Sequence, residues 1–193
     1  MQLHYTPRSH FSRKVRILLG ALGLEARLID AGNAGGADSE AFGPNPLMKV
    51  PTLVDGDRTI FDSDHIAQYL VVRHDPGDRF DVLTREPDAL NARAVMNGVM
   101  ATEVELILAE RDGIDTRAGA RFDKMRHAID AGLAWLEHRA DAFPAQPCYL
   151  VFHLTAMWEH LALYDLRPLH YPRLHAIVAR TRSLPYVAAS RPA

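Results

Sequence analysis

Cysteine is nearly missing from this 193-residue chain, with Cys148 the single example. One thiol excludes an intrachain disulfide, a CxxC redox centre and a cysteine-built metal cage, and it is compatible with a reducing compartment. Long apolar runs are missing too. None approaches the roughly 18 residues that announce a membrane helix, and MQLHYTPRSH lacks the basic-then-apolar layout of a secretory leader. The expectation is a cytoplasmic protein without a membrane partner. Nor is there an excess of one charge, since 22 Lys plus Arg face 24 Asp plus Glu for a formal charge of −2. So small a net charge supplies no field to hold nucleic-acid phosphates, which disfavours a nucleic-acid partner. The small-residue stretch AGNAGGADSE carries no GK[ST] and reads as a connection rather than a phosphate-binding loop. Internal repeats and low-complexity tracts are absent as well.

What the chain does have is 48% hydrophobic and 24% charged residues, enough apolar mass for one sizeable core or two small ones. Residues 2–5 are β-compatible, and Phe11, Val15, Leu18, Leu19 and Leu22 then fall at helical spacing before a stop at Gly23. ARLID at 26–30 reads as a second strand, and PTLV and RTIF read as a hairpin joined through Asp55-Gly56. Ser63 opens a further helix, SDHIAQYLVVRH, whose Ile66, Ala67, Leu70 and Val71 share a face. HDPGDRFDVLTREPD, rich in acidic residues and breakers, marks a linker. After it every pattern is helical: residues 88–111, residues 121–140, LVFHLTAMWEHLALYDL and about 172–182. The third of these is apolar nearly all round, so it is expected to run through the middle of its domain.

The chemistry-bearing residues gather in three motifs. SHFSRKVRILLGALGL at 9–24 opens a helix on Ser9 and Ser12, and serine there is first of all a preferred N-cap. A helix N-terminus also presents unpaired N–H groups and partial positive charge, which lowers the pKa of a thiol placed beside it, and a hydroxyl donating to the sulfur adds to that. The other two motifs are NPLMKVPTLVDG at 45–56 and FDSDHIAQYL at 61–70. A metal site finds little support. His153 and His160 lie seven residues apart, about 10 Å along a helix, too far to ligate one ion from one face. Arg13, Lys14 and Arg16 read as a solvated helix face, and Trp135 and Trp158 as packing residues.

Strand, helix, strand, loop, hairpin and helix, with these three motifs in this order, resemble the cytosolic glutathione transferase superfamily, serine-type and bacterial, over nearly the whole chain. The resemblance implies an α/β plus all-α architecture. A thioredoxin-like glutathione-binding domain over 1–75 and a linker over 76–87 would precede an all-helical domain over 88–193 contributing the acceptor-substrate pocket. It implies a glutathione transferase that activates the glutathione thiol, as co-substrate, for attack on a small hydrophobic electrophile. A glutathione-dependent isomerase, lyase or dehalogenase, or a non-catalytic binding or regulatory protein, is the alternative. A homodimer and the absence of a metal cofactor are implied too.

Residue by residue, the resemblance puts Ser9 on the catalytic serine, with Tyr5 as the rival hydroxyl. His10 stands where proline or a small residue is usual. It is expected either to line the site and touch thiol or substrate, or to be an exposed first-turn residue, with its protonation disfavoured at a helix N-terminus. Val50 would pair its backbone with the cysteinyl part of glutathione ahead of a cis Pro51, and Lys49 would meet the glycyl carboxylate or simply be solvated. Asp62 and Ser63 would receive the γ-glutamyl end, although an N-cap role explains Ser63 equally well. The Ser/Thr-x-x-Asp capping box usual at the central helix of the second domain is missing from CYLVFH at 148–153.

Overall fold

The computed structural model describes residues 1–33, 35–36 and 38–192. Residues 34 and 37 of the AGNAGGADSE connection are thus outside the described residues, and its end continues into a 3-10 turn, Ser39–Phe42, that Asp38 caps. The four expected strands are present as β1 (Gln2–Tyr5), β2 (Arg27–Asp30), β3 (Thr52–Asp55) and β4 (Arg58–Phe61), in the sheet order β2-β1-β3-β4. β1 and β2 are parallel; β3 is antiparallel to β1, with Thr52 opposite His4; β4 is antiparallel to β3, with Phe61 opposite Thr52.

Between β1 and β2 runs α1 (His10–Leu22), capped at its start by Ser9 and ended by Gly23 at φ 69°. The left-handed turn at Gly23 lets the Leu24 N–H reach the Leu19 carbonyl, a conformation that glycine adopts without side-chain penalty. After β4 comes α2 (Ser63–His74). Together these elements make the thioredoxin-like half of the fold.

The remainder is helical: α3 (Pro87–Arg111), α4 (Ala120–His138), α5 (Tyr149–Tyr164), α6 (Pro172–Thr181) and the short α7 (Pro185–Ala188). Twelve of the 16 residues of α5 are buried, and α5 packs against α1, α3 and α6, which gives it the central position its all-round apolar pattern predicts. Cys148 stands at its N-cap without a side-chain bond, as the missing capping box implies. The linker substitutes in part, because the Tyr149 N–H donates to the Phe80 carbonyl at 2.8 Å. Arg93 of α3 pins the same segment by donating to the carbonyls of Asp81 and Val82 while its guanidinium lies over the Tyr149 ring.

The basic cluster on α1 is not a solvated face. Arg13 is 2% exposed and Lys14 is fully buried, and only Arg16 is half-buried. The physical reason is that α1 is covered by α5, α2 and α7, so each charge meets a partner. Arg13 pairs with Glu159 and reaches Ser190; Lys14 pairs with Asp64; the Arg16 guanidinium lies over the Tyr5 ring.

Candidate functional site

The strand register brings the three motifs to one end of the sheet. β1 runs out at Tyr5 and leads through Thr6, Pro7 and Arg8 to Ser9. Because β3 is antiparallel to β1, Pro51 immediately precedes the residue opposite His4, at that same end. β4 reverses again and ends there at Phe61, leading directly into Asp62 and Ser63. Residues drawn from three separate stretches thus converge at the carboxyl end of β1, the end at which open α/β sheets offer their binding crevices.

Ser9 is half-buried, and its hydroxyl oxygen accepts the Ser12 N–H at 3.1 Å. The cap reading is therefore realised, yet it leaves the hydroxyl hydrogen available for a donor role toward an anion at the helix start. Capping and hydrogen-bond donation are thus compatible uses of one group. Ser12 is fully buried, with no hydrogen-bond partner for its hydroxyl among the described residues.

His10 is neither exposed nor open to the crevice. It is 1% exposed, its ring lies edge-on to His160 at a centroid distance of 3.9 Å, and Phe11 flanks it at 4.8 Å. Burial first, and the neighbouring His160 second, push its pKa well below the usual range, which leaves it neutral. The Met100 carbonyl lies near enough to oppose this weakly, but without hydrogen-bond geometry.

Lys49 is exposed, Val50 is half-buried and Pro51 is buried behind a cis Val50–Pro51 bond. Their loop is shaped by Asn45, a residue that carried no assigned role in the sequence beyond its place in the motif. The Asn45 amide donates to the Lys49 carbonyl at 3.0 Å and to the Thr52 hydroxyl at 3.1 Å, and its oxygen accepts the Leu47 N–H. The Thr52 hydroxyl donates in turn to the Lys49 carbonyl.

Asp62 holds φ 74° and ψ 129°, an uncommon conformation for a non-glycine residue, and its carboxylate caps α2 by accepting the N–H groups of Asp64 and His65. The cap is thus Asp62, and Ser63 is the first helical residue, buried at 2% exposure. The next residue, Asp64, binds four helices together. Its carboxylate accepts from Lys14 of α1 at 2.8 Å, Asn97 of α3 at 2.6 Å and Tyr149 of α5 at 2.8 Å, while standing itself on α2. Burial alone would raise its pKa, but the Lys14 charge, a smaller His153 contribution and the bonds from Lys14 and Asn97 outweigh that and hold it far below the usual carboxylate range. Burial pulls the Lys14 ammonium down by more than Asp64 restores. Asp64 was legible only as an acidic residue in a first helical turn.

Away from this end, the carboxyl half of α1, the start of β2 and α7 border an open depression of about 670 Å³ containing Leu19, Gly20, Arg27 and Tyr186. It lies at the opposite end of the sheet from Ser9, so it takes no part in the convergence. A smaller one of about 380 Å³ adjoins the Asn45 loop and is bordered by Gly43, Pro46 and Met48.

Comparison with known proteins accords with this geometry. Residues 3–78 match the family model described as glutathione S-transferase, N-terminal domain. A glutathione S-transferase of Silene vulgaris is 27% identical over 113 residues, 57% of this chain and 52% of that protein, so the match spans about half the length of this curated relative. A glutathione transferase family member from Pseudomonas fluorescens Pf-5, solved with bound glutathione, superposes with a TM-score of 0.88 at 24% identity, covering 100% of this chain and 98% of that one. A glutathione S-transferase from Methylobacterium radiotolerans, in complex with glutathione sulfonate, gives 0.81 at 23% identity over 99% and 94% of the two chains. A bacterial zeta-class maleylpyruvate isomerase gives 0.76 at 20% identity over 100% and 97%. A thioredoxin-like sheet domain followed by a helical bundle is the class this fold defines. Within that class, residues 3–78 match the glutathione S-transferase N-terminal domain, and the whole chain shares the fold of the glutathione transferases superposed above.

Proposed function

We propose that the protein binds glutathione at the carboxyl end of β1 and activates its thiol, through Ser9, for attack on a small hydrophobic electrophile. The observation that carries this reading is the convergence of Ser9, Val50-Pro51 and Asp62-Ser63 at one sheet end. Ser9 is half-buried and already fixed by the Ser12 N–H, so its hydroxyl is oriented before any ligand arrives. Donating to the sulfur favours the thiolate, the helix N-terminus favours it further, and the thiolate is the nucleophile.

Val50 offers its backbone to the cysteinyl segment as an added sheet rung, Lys49 takes the glycyl carboxylate, and Asp62 with Ser63 takes the γ-glutamyl end at the start of α2. His10 supports the helix start from beneath, since its burial keeps it from solvent. Residues 1–75 form the glutathione domain, 76–87 the linker and 88–193 the part that supplies the acceptor pocket. The protein works as a cytoplasmic homodimer without a nucleic-acid or membrane partner; among the described residues no helix is long and apolar enough to cross a membrane. A second reading, glutathione-dependent isomerisation, is favoured by the maleylpyruvate isomerase among the solved structures of this fold.

Isothermal titration with reduced glutathione, beside ultraviolet detection of the bound thiolate, tests the reading in wild type and Ser9→Ala. Saturable binding in both, with the thiolate signal lost in Ser9→Ala, is expected. Turnover of a chloronitroaromatic against cis–trans isomerisation of a maleyl compound then separates the two activities. No binding at millimolar glutathione would sink both and leave a partner-binding protein.

A further inference from the structure

Three helices bring a buried carboxylate between two buried imidazoles. His10 begins α1, Glu103 lies within α3 and His160 lies near the end of α5, and their exposures are 1%, 0% and 5%. One nitrogen or oxygen from each can be chosen so that all lie within 4.8 Å of one another. Glu103 Oε1 stands 2.7 Å from His160 Nδ1, yet neither atom satisfies hydrogen-bond geometry. Glu103 Oε2 and both ring nitrogens of His10 also lack a hydrogen-bond partner among the described residues. A buried polar group left unsatisfied costs about 1–3 kcal/mol, and a charged one more, so buried charges are as a rule paired or bound to a metal.

We propose that His10, Glu103 and His160 form a binding site for one divalent transition-metal ion of the zinc class. Two imidazole nitrogens and one carboxylate oxygen are a recognised zinc donor set, and imidazole equally suits nickel, copper and iron. Zinc bonds of about 2.0–2.2 Å set tetrahedral donors roughly 3.3 Å apart, so side-chain adjustments of about 1 Å suffice to close the group on an ion. Thiolate is absent from the group, since Cys148 stands at the N-cap position of α5 and is not among the donors, and this argues against a soft monovalent ion. Phe11 lies against His10, and Tyr164 against His160 at 4.8 Å, so the donors have apolar walls. His153 stands apart, its Nε2 facing the Met100 sulfur at 3.2 Å.

Sequence spacing could not reveal this group. His153 lies outside the group, but the fold supplies His160 with partners from two other helices. Three protein donors leave a further coordination position, and the ion would tie the residue next to Ser9 to both α3 and α5. The proposal stands whether or not Ser9 activates glutathione.

The test uses the full chain, stripped with a chelator and then titrated with Zn(II) by calorimetry and with Co(II) by visible absorbance. Wild type, His10→Asn and Glu103→Gln are compared, each checked for native circular dichroism. One equivalent of ion, low-coordinate cobalt bands and a melting temperature rising with zinc are expected in wild type. Either variant should weaken binding by at least about 100-fold, the upper end of what the loss of an outer hydrogen-bond partner costs a metal site. Should one variant fail to fold, the other decides. No stoichiometric binding, or equal binding by wild type and a folded variant through the chain's other histidines, overturns the proposal.

Discussion

Lys14 donates to Asp64 across 2.8 Å, joining the interior of α1 to the first turn of α2 one residue beyond the proposed γ-glutamyl contacts. The pair is asymmetric: Lys14 has no exposure, whereas the Asp64 side chain keeps 24% of its surface in contact with solvent. Asp64→Ala strands a buried ammonium and is expected to cost about 3–5 kcal/mol. Lys14→Met leaves a carboxylate that can rehydrate and keeps Asn97 and Tyr149, so its cost should be clearly smaller. Urea unfolding of both variants checks the order, and an equal or reversed ranking contradicts the asymmetry.

The same carboxylate sets a pH dependence. Its folded pKa lies below its unfolded value, so between the two the unfolded chain binds the extra proton and stability rises with pH. The contribution is complete above the unfolded pKa of about 4 and drains away as pH falls below that. The stability difference between wild type and Asp64→Asn should therefore be constant from pH 7 to about 5 and shrink on further acidification. A difference that widens toward acid would reverse the assigned sign.

Two helical glycines should respond oppositely to alanine. Alanine gains about 1 kcal/mol over glycine in a helix interior. At Gly98 of α3 an added Cβ meets nothing within 4 Å, so Gly98→Ala should stabilise by about that amount. At Gly132 of α4 it meets Val99 Cγ2 at 2.8 Å and Val95 Cγ1 at 3.3 Å, β-branched side chains with few alternative rotamers. Overpacking there costs about 1–3 kcal/mol, so Gly132→Ala should be neutral to destabilising. Thermal melts of the two variants decide, and equal stabilisation by both would mean that α3 and α4 yield freely.

Asn45→Ala removes three hydrogen bonds from the loop that carries Lys49 and Val50. At about 1 kcal/mol for each bond it should destabilise by roughly 1–3 kcal/mol. Because the loop backbone is the proposed glutathione contact, KM for glutathione should rise about tenfold or more while kcat changes little. Steady-state kinetics over varied glutathione checks this, and a fall in kcat at constant KM would place Asn45 elsewhere in the mechanism.

Periodicity and turn chemistry made the architecture legible. Alternation and Asp55-Gly56 gave the hairpin, helical spacing gave α1 to α6, and the all-round apolar pattern gave the central place of α5. α7, four residues opening on Pro185, left no periodic signal. The motif residues were legible through their resemblance, and strand register explains their meeting. Charge was misread where tertiary cover decides it. Arg13 and Lys14 look solvated in a list of helical positions because periodicity marks an apolar face without saying that the polar face is covered as well. Of the two alternatives for His10, the exposed one fails for a related reason: a first-turn residue is exposed by default, but here α3 and α5 close over it. Glu103 had no local signal, since one acid in a long helix resembles any other.

The Phe80 carbonyl that receives the Tyr149 N–H, and the Asp81 and Val82 carbonyls that hold Arg93, make the stretch between α2 and α3 part of the helical scaffold. The two halves are therefore poor candidates for simple recombination at a point within it. A chimera that takes its N-terminal half from a relative must retain residues 80–82 on the helical side, or α5 loses both its cap and the clamp on its first ring. Sequence drift between the halves is thus constrained by three backbone oxygens in an outwardly ordinary loop.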